Sequence, residues 1–153
     1  MIKTAVFPGS FDPITLGHED IVRRALPFFD KIIVGIGVNS EKRYLFPIEQ
    51  RIRWIEQTFK DFPNVFAEGY SGLTVDFCRK VNANYIIRGL RTSADFEFER
   101  IIGQVNKKLN PEVETIYLLA SNDFSSLNSS VVRDIYINGG DVSMFIPSNI
   151  KIM

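Results

Sequence analysis

The stretch Phe7-Pro-Gly-Ser-Phe-Asp-Pro-Ile-Thr-Leu-Gly-His18 contains the only histidine of the chain, together with a serine, two glycines and two prolines. An apolar run, Ile2–Phe7, leads into it and a helix-patterned run leaves it from about Gly17, so the order is strand, turn-rich loop, helix. The N-terminus of a helix carries unpaired N–H groups and a partial positive charge, which suits it to phosphate. A lone histidine is most often a satisfied structural residue, but one just beyond a strand end and at a helix start is poorly placed for the core. A metal site is disfavoured because no second histidine exists and Cys78 sits in an apolar helical pattern. Ser10 and His18 lack the G-x-S-x-G elbow of a hydrolase. The chain also has no G-x-x-x-x-G-K-[ST] loop, and Gly35-x-Gly37 lies inside a strand pattern, not at a dinucleotide turn. The role left for His18 is that of a donor to phosphate oxygens, an electrostatic stabiliser of phosphoryl-type transfer.

Other polar groups follow strand patterns in the same way. Arg88-Gly-Leu-Arg91 follows Tyr85–Ile87 with almost no spacer, and the planar fork of arginine suits phosphate oxygens better than a solvated surface pair would require. Lys42 and Arg43 follow the second strand, where position alone favours function; Arg51 and Arg53 read as helix surface. Ser121–Ser130 (S-N-D-F-S-S-L-N-S-S) precedes a helix and is equally readable as a cap or as a phosphate cradle. Asp95, Glu97 and Glu99 alternate with Phe96 and Phe98; the spacing leaves open a solvated acidic face over core phenylalanines or a glutamate that meets a sugar hydroxyl or helps orient a metal-bound ligand.

The elements that must position these groups alternate regularly. Strand patterns cover Ile2–Phe7, Ile32–Val38, Val65–Ala67 (weak), Tyr85–Ile87 and Val113–Leu119. Helical patterns cover His18–Phe29, Glu49–Phe59 behind Pro47, Leu73–Val81 after Gly72, a long run to Leu109 capped by Thr92 or Ser93, and Ser129–Asn138 stopped by Gly139–Gly140. Five strands, four of them read as followed by helices, predict an α/β fold: a single-domain, Rossmann-like five-stranded parallel sheet with helices on both faces, spanning residues 1–153. The two glycines of Ile32–Val38 imply close approach by backbone or ligand, and the tail after the last helix carries only a weak pattern. Ligands of open parallel sheets sit at the carboxyl ends of the strands, where the loops after Phe7, Val38, Ile87 and Leu119 would gather.

Composition narrows the class. Hydrophobic residues make up 45% of the 153, enough for a core without staples. Lys plus Arg equals Asp plus Glu at 18 each, which argues against a nucleic-acid-coating protein. One cysteine excludes a disulfide framework and fits a reducing compartment. The N-terminal residues do not resemble a signal peptide, and no apolar run reaches the ~18 residues of a membrane span. The expectation is a soluble cytoplasmic protein.

Taken together, the motifs resemble a known family. G-S-F-D-P-I-T-L-G-H is similar to the G-[ST]-F-D-P-x-T-x-G-H signature of the nucleotidyltransferase superfamily, whose T/HxGH motif is akin to the HIGH motif of class I aminoacyl-tRNA synthetases. R-G-L-R followed by A-D-F-E-F-E, Lys42, Asn106 and S-S-V-V-R resemble bacterial phosphopantetheine adenylyltransferases from Lys3 to about Pro147. The resemblance implies a Rossmann-like cytoplasmic homohexamer that transfers AMP from ATP to 4′-phosphopantetheine with Mg²⁺, giving dephospho-coenzyme A and pyrophosphate. It implies ATP contacts from Ser10, Phe11, His18, Gly89, Leu90, Arg91, Glu99 and the run Phe124, Ser125, Ser126, Leu127, Asn128, Ser129 and Ser130. It assigns the acceptor to Ser10, Lys42, Thr74 and Arg88, transition-state stabilisation to His18, and no identified residue to the metal. Three departures stand out: Phe98 where tyrosine is frequent, Asn128 where the family writes serine, and a last helix cut to Ser148–Met153. Because the acceptor phosphate is already an anion, in-line attack on the α-phosphate needs no general base. The competing expectations are another phosphate acceptor, such as nicotinate mononucleotide or glycerol phosphate, and a non-catalytic nucleotide sensor.

Overall fold

The structure is a computed structural model that describes residues 1–153. Strands β1 (Thr4–Gly9), β2 (Lys31–Val38), β3 (Val65–Ser71), β4 (Tyr85–Leu90) and β5 (Glu114–Leu119) form one parallel sheet in the order β3-β2-β1-β4-β5. Helices α1 (Leu16–Ala25), α2 (Ile48–Thr58), α3 (Thr74–Lys80), α4 (Ser93–Leu109) and α5 (Ser129–Ile137) alternate with them. A helix follows each of the five strands, one more than the sequence reading counted. The α/β architecture expected from the alternation is the one observed.

Side chains alternate across the strands, and each face has its own core. Ala5, Phe7, Val34 and Ile36 pack with Ile21 and Val22 of α1, Trp54 and Ile55 of α2 and Val132 of α5. Val6, Ile33 and Ile86 face the other way, onto Val75, Phe77 and Cys78 of α3. The tail that read as weak belongs to the first core: Val142, Ile146 and Ile150 are buried there without forming a helix. The Phe145 carbonyl accepts the Leu16 N–H at 3.0 Å, in the first turn of α1.

Several boundaries differ from the sequence reading. β1 starts at Thr4, leaving Ile2 exposed, and runs on through Pro8 and Gly9. The first helix begins at Leu16, because Thr15 caps it, and gives way to a 3₁₀ turn at Leu26–Phe28, where Pro27 withholds an amide. β3 is longer than expected, and β4 takes in Arg88 and Gly89. The close approach at Gly35 is made by side chains: a Cβ there would lie 3.1 Å from both the Tyr70 and the Phe77 rings, which stack at 4.4 Å. Phe96 and Phe98 are exposed on α4 rather than in the core.

The central feature is the parting of β1 and β4. They pair only at Ala5↔Tyr85 and Val6↔Ile86, while β1–β2 pairing continues to Gly9↔Ile36 and β4–β5 pairing to Leu90↔Leu119. Successive crossovers run outward on either side of this gap, which makes it the topological switch point where ligands bind in open α/β sheets.

Candidate active site

Two cavities flank the parted strand ends. The first, of about 220 Å³, is lined by Gly17, His18, Gly89, Arg91, Phe124, Leu127, Asn128 and Ser129, among others. The second, of about 270 Å³, is lined by Ser10, Tyr70, Thr74, Glu99, Gly103, Asn106 and Tyr117, among others. Pro8, Gly9 and Arg88 line both. The Arg88 Nη1 donates to the Pro8 carbonyl at 2.6 Å, bridging the gap between β1 and β4.

His18 is set by the start of its helix. Its backbone N–H donates to Thr15 Oγ1 at 3.4 Å, and its ring Nδ1 accepts the Thr15 N–H at 3.0 Å, closing a reciprocal capping box. With Nδ1 an acceptor, the ring proton belongs on Nε2. The Phe11 ring lies 4.7 Å from the imidazole, edge-on. Phe11 is buried although its φ of 47° is costly for a bulky residue; that conformation coincides with the turn that brings its ring beside His18. Burial, then the charges of Arg88 and Arg91, lower the His18 pKa from 6.5 to about 3. The imidazole is therefore a neutral Nε2–H donor.

The amides around this cavity show where an anion would be met. In the first turn of α1 the Leu16 N–H is taken by Phe145 and that of His18 by Thr15, whereas the Gly17 N–H has no partner in the protein. α5 is capped by Asn128, whose Oδ1 accepts the Val131 N–H at 2.9 Å. The amides of Ser129 and Ser130 carry no partner. Asparagine caps as well as serine does, so Asn128 supplies the cap this helix start needs. The hydroxyl of Ser129 is committed to the Pro13 carbonyl at 2.9 Å, and Ser130 Oγ accepts from Arg133 at 3.0 Å. In the serine run, then, side chains fix the turn, and the amides of Ser129 and Ser130 are left without partners. Two helix N-termini and Arg91, itself tied to Asp95 and the Leu127 carbonyl, suit a polyphosphate.

The second cavity is built from side chains. Lys42 Nζ donates to Ser10 Oγ at 3.0 Å. Tyr70 and Thr74 share a 2.8 Å hydroxyl bond. Glu99 is buried and takes both forks of Arg88, from Nε at 2.9 Å and from Nη2 at 2.6 Å. Gly103 leaves room above α4 for Tyr117, whose hydroxyl donates to the Glu99 carbonyl at 2.9 Å.

Most of the residues singled out by sequence meet here, in two groups. His18, Gly89, Arg91, Phe124, Leu127, Asn128 and Ser129 line the first cavity; Ser10, Thr74 and Glu99 line the second, with Lys42 bonded to Ser10. Phe11 and Leu90 are buried, and Ser125, Ser126 and Ser130 stay outside both linings. Asp95 and Glu97 form surface ion pairs with Arg91 and Arg100.

Sequence reasoning missed three residues. Arg51 is not helix surface: it is 2% exposed, whereas Arg53 is exposed. Its signal was position, three and four residues before the buried Trp54 and Ile55. Asp12 is buried and accepts the amides of Leu45 and Phe46 at 2.8 and 2.9 Å. Tyr70 had no signal beyond the glycines it covers.

Comparison with known proteins fits this geometry. The cytidylyltransferase-like family model matches residues 6–135. The chain is 51% identical to the phosphopantetheine adenylyltransferase of Flavobacterium psychrophilum over 99% of both chains. It is 50% identical to that of Flavobacterium johnsoniae over the same shares. A bifunctional NMN adenylyltransferase/ADP ribose pyrophosphatase from Francisella tularensis, solved with AMP and a manganese ion, superposes with a TM-score of 0.71 at 22% identity, covering 98% of this chain and 46% of that one, and so shares the fold. The chain belongs to the cytidylyltransferase-like nucleotidyltransferases and, within them, to the phosphopantetheine adenylyltransferase family.

Proposed function

We infer that the chain transfers AMP from ATP to 4′-phosphopantetheine, releasing pyrophosphate and dephospho-coenzyme A, as its family membership implies. The observation that carries the mechanism is the pair of cavities separated only by the Pro8–Gly9 strand end and Arg88. Nucleotide phosphates suit the first cavity, with its free amides and neutral His18; an acceptor phosphate suits Ser10 and Lys42 in the second. The two then meet at the strand end in the approach an in-line displacement requires.

The acceptor phosphate attacks the α-phosphorus while the bond to the pyrophosphate oxygen breaks, and no proton needs to be removed first. His18 Nε2–H and the Gly17 amide would stabilise the growing charge on the non-bridging oxygens. Lys42 offsets the charge of the incoming phosphate. The chain has no group of three or more His, Cys, Asp or Glu side chains placed to hold a metal ion, so we take Mg²⁺ as part of the magnesium–ATP substrate.

Phe98, Ile101, Val105 and Leu109 recur along α4 and are exposed in the single chain. Such an uncovered apolar stripe supports self-association, and we propose the homohexamer as its form, testable by sedimentation. No helix is long and apolar enough to cross a membrane; the cytoplasmic location is proposed from family membership alone.

The deciding experiment is pyrophosphate release from ATP with 4′-phosphopantetheine, nicotinate mononucleotide and glycerol 3-phosphate in parallel. Turnover with the first alone is expected. Preference for another acceptor, or ATP binding without pyrophosphate release, would overturn the assignment.

A further inference from the structure

Arg51 is a buried arginine that touches neither cavity. Its Nε donates to the Phe46 carbonyl at 2.9 Å and its Nη1 to the Ser10 carbonyl at 2.7 Å. Its guanidinium carbon lies 4.3 Å from the centre of the Tyr44 ring. These three partners bracket the exposed Lys42 loop. Tyr44 closes that loop, accepting the Asn39 N–H at 3.0 Å and donating to the Gly37 carbonyl at 3.2 Å. The Lys42 ammonium lies 5.5 Å from the same ring and reaches Ser10 Oγ. One guanidinium thus holds the backbone of Ser10 and the platform beneath Lys42. A planar fork can serve two carbonyls and a ring at once; an ammonium cannot. Asp12 fastens the same Leu45–Phe46 amides from the side of the first loop.

We propose that Arg51 is a positioning residue for the acceptor half of the reaction: it fixes Ser10 and Lys42 relative to one another without touching substrate. This rests on the reading that the acceptor phosphate lies at Ser10 and Lys42. An acceptor phosphate misplaced by about 1 Å costs roughly 10²-fold in rate, whereas no residue lining the His18 cavity is hydrogen-bonded to Arg51.

The test is a double-mutant cycle in the full-length protein with Arg51→Met, Lys42→Met and both together. It is read as KM for 4′-phosphopantetheine, kcat, and the calorimetric Kd of ATP. Expected for Arg51→Met is a roughly 10–100-fold loss in kcat/KM for the acceptor, with ATP affinity held within about twofold and almost no further loss in the Lys42→Met background. Arg51→Lys, which keeps the charge without the fork, should be impaired in the same parameter. Tyr44→Leu removes the shared platform from a partly exposed site, and carries the same test if Arg51→Met does not fold. A parallel loss of ATP affinity, or an undiminished cost in the Lys42→Met background, would overturn the role. Lys42→Met alone separates the two ideas. Weakened acceptor use there with none in the Arg51 and Tyr44 variants overturns only the Arg51 role; unaffected acceptor use overturns the acceptor site and the role with it.

Discussion

The two cavities meet at one strand end, yet they are made of different material. The first presents backbone amides at two helix starts, and its side chains are mostly spent on fixing those helices: Thr15 on α1, Asn128 on α5, Ser129 on the Pro13 carbonyl. The second presents side chains whose positions depend on other side chains: Arg88 on Glu99, Lys42 on Ser10, Tyr70 on Thr74. A cradle of amides is rigid and tolerant of which residue does the capping. A network of charges is specific and fails when one member is lost.

The largest effect is expected where that division is most exposed. His18→Ala should fold and bind ATP but lose ~10²–10³ in turnover, the usual cost of one transition-state donor; near-normal turnover would remove His18 from the mechanism. Next comes Glu99→Gln, which strands Arg88 with no carboxylate partner. Breaking a pair with one buried member should cost about 3 kcal/mol in chemical denaturation, and acceptor KM and the Kd of ATP should both rise, because Arg88 lines both cavities. Removing Arg88 as well, in Arg88→Met/Glu99→Gln, should recover much of that stability; no recovery would show that Glu99 acts independently of Arg88.

Acid titration probes the first cavity. His18 binds a proton near 6.5 in the unfolded chain but near 3 when folded. Between those values the unfolded state holds the extra proton, so stability that is complete above 6.5 falls as pH drops toward 3. The slope is at most about 1.4 kcal/mol per pH unit. His18→Gln should flatten that limb in a series of melting temperatures; an unchanged slope would place the titration elsewhere. The smallest effect tests tolerance: Asn128→Ser should stay within about 0.5 kcal/mol, and Asn128→Ala should cost about 1 kcal/mol with the loss of a cap. A large loss in Asn128→Ser would show that the amide side chain does more than cap.

The same division explains what could be read from the sequence. The sheet, its helices and the place of His18 at a helix start beside the first cavity were legible because hydrophobic period, turn residues and helix starts are local properties. Asn128 at a helix start announces its function within three residues. Arg51 and Glu99 do not, because an arginine or glutamate on a helix is ordinarily solvated and only tertiary contacts reveal otherwise. Their partners, the Ser10 and Phe46 carbonyls and Arg88, lie on other elements. The phenylalanines of α4 stayed ambiguous for a different reason: Phe96 and Phe98 are two residues apart, a spacing that marks no single helix face, and both prove exposed. The buried tail was illegible because Val142, Ile146 and Ile150, though four residues apart, follow Gly139–Gly140 and flank Pro147, and form no helix whose face could be read.

That tail has a temporal consequence. The Leu16 amide at the head of the His18 helix is satisfied by the carbonyl of Phe145, close to the far end of the chain. On the ribosome, at roughly 5–20 residues per second, the first helix emerges on the order of ten seconds before its partner is made. The head of the His18 helix is therefore made well before the residue that completes its bonding, so a nascent chain cannot form that first turn in full until synthesis has passed Phe145.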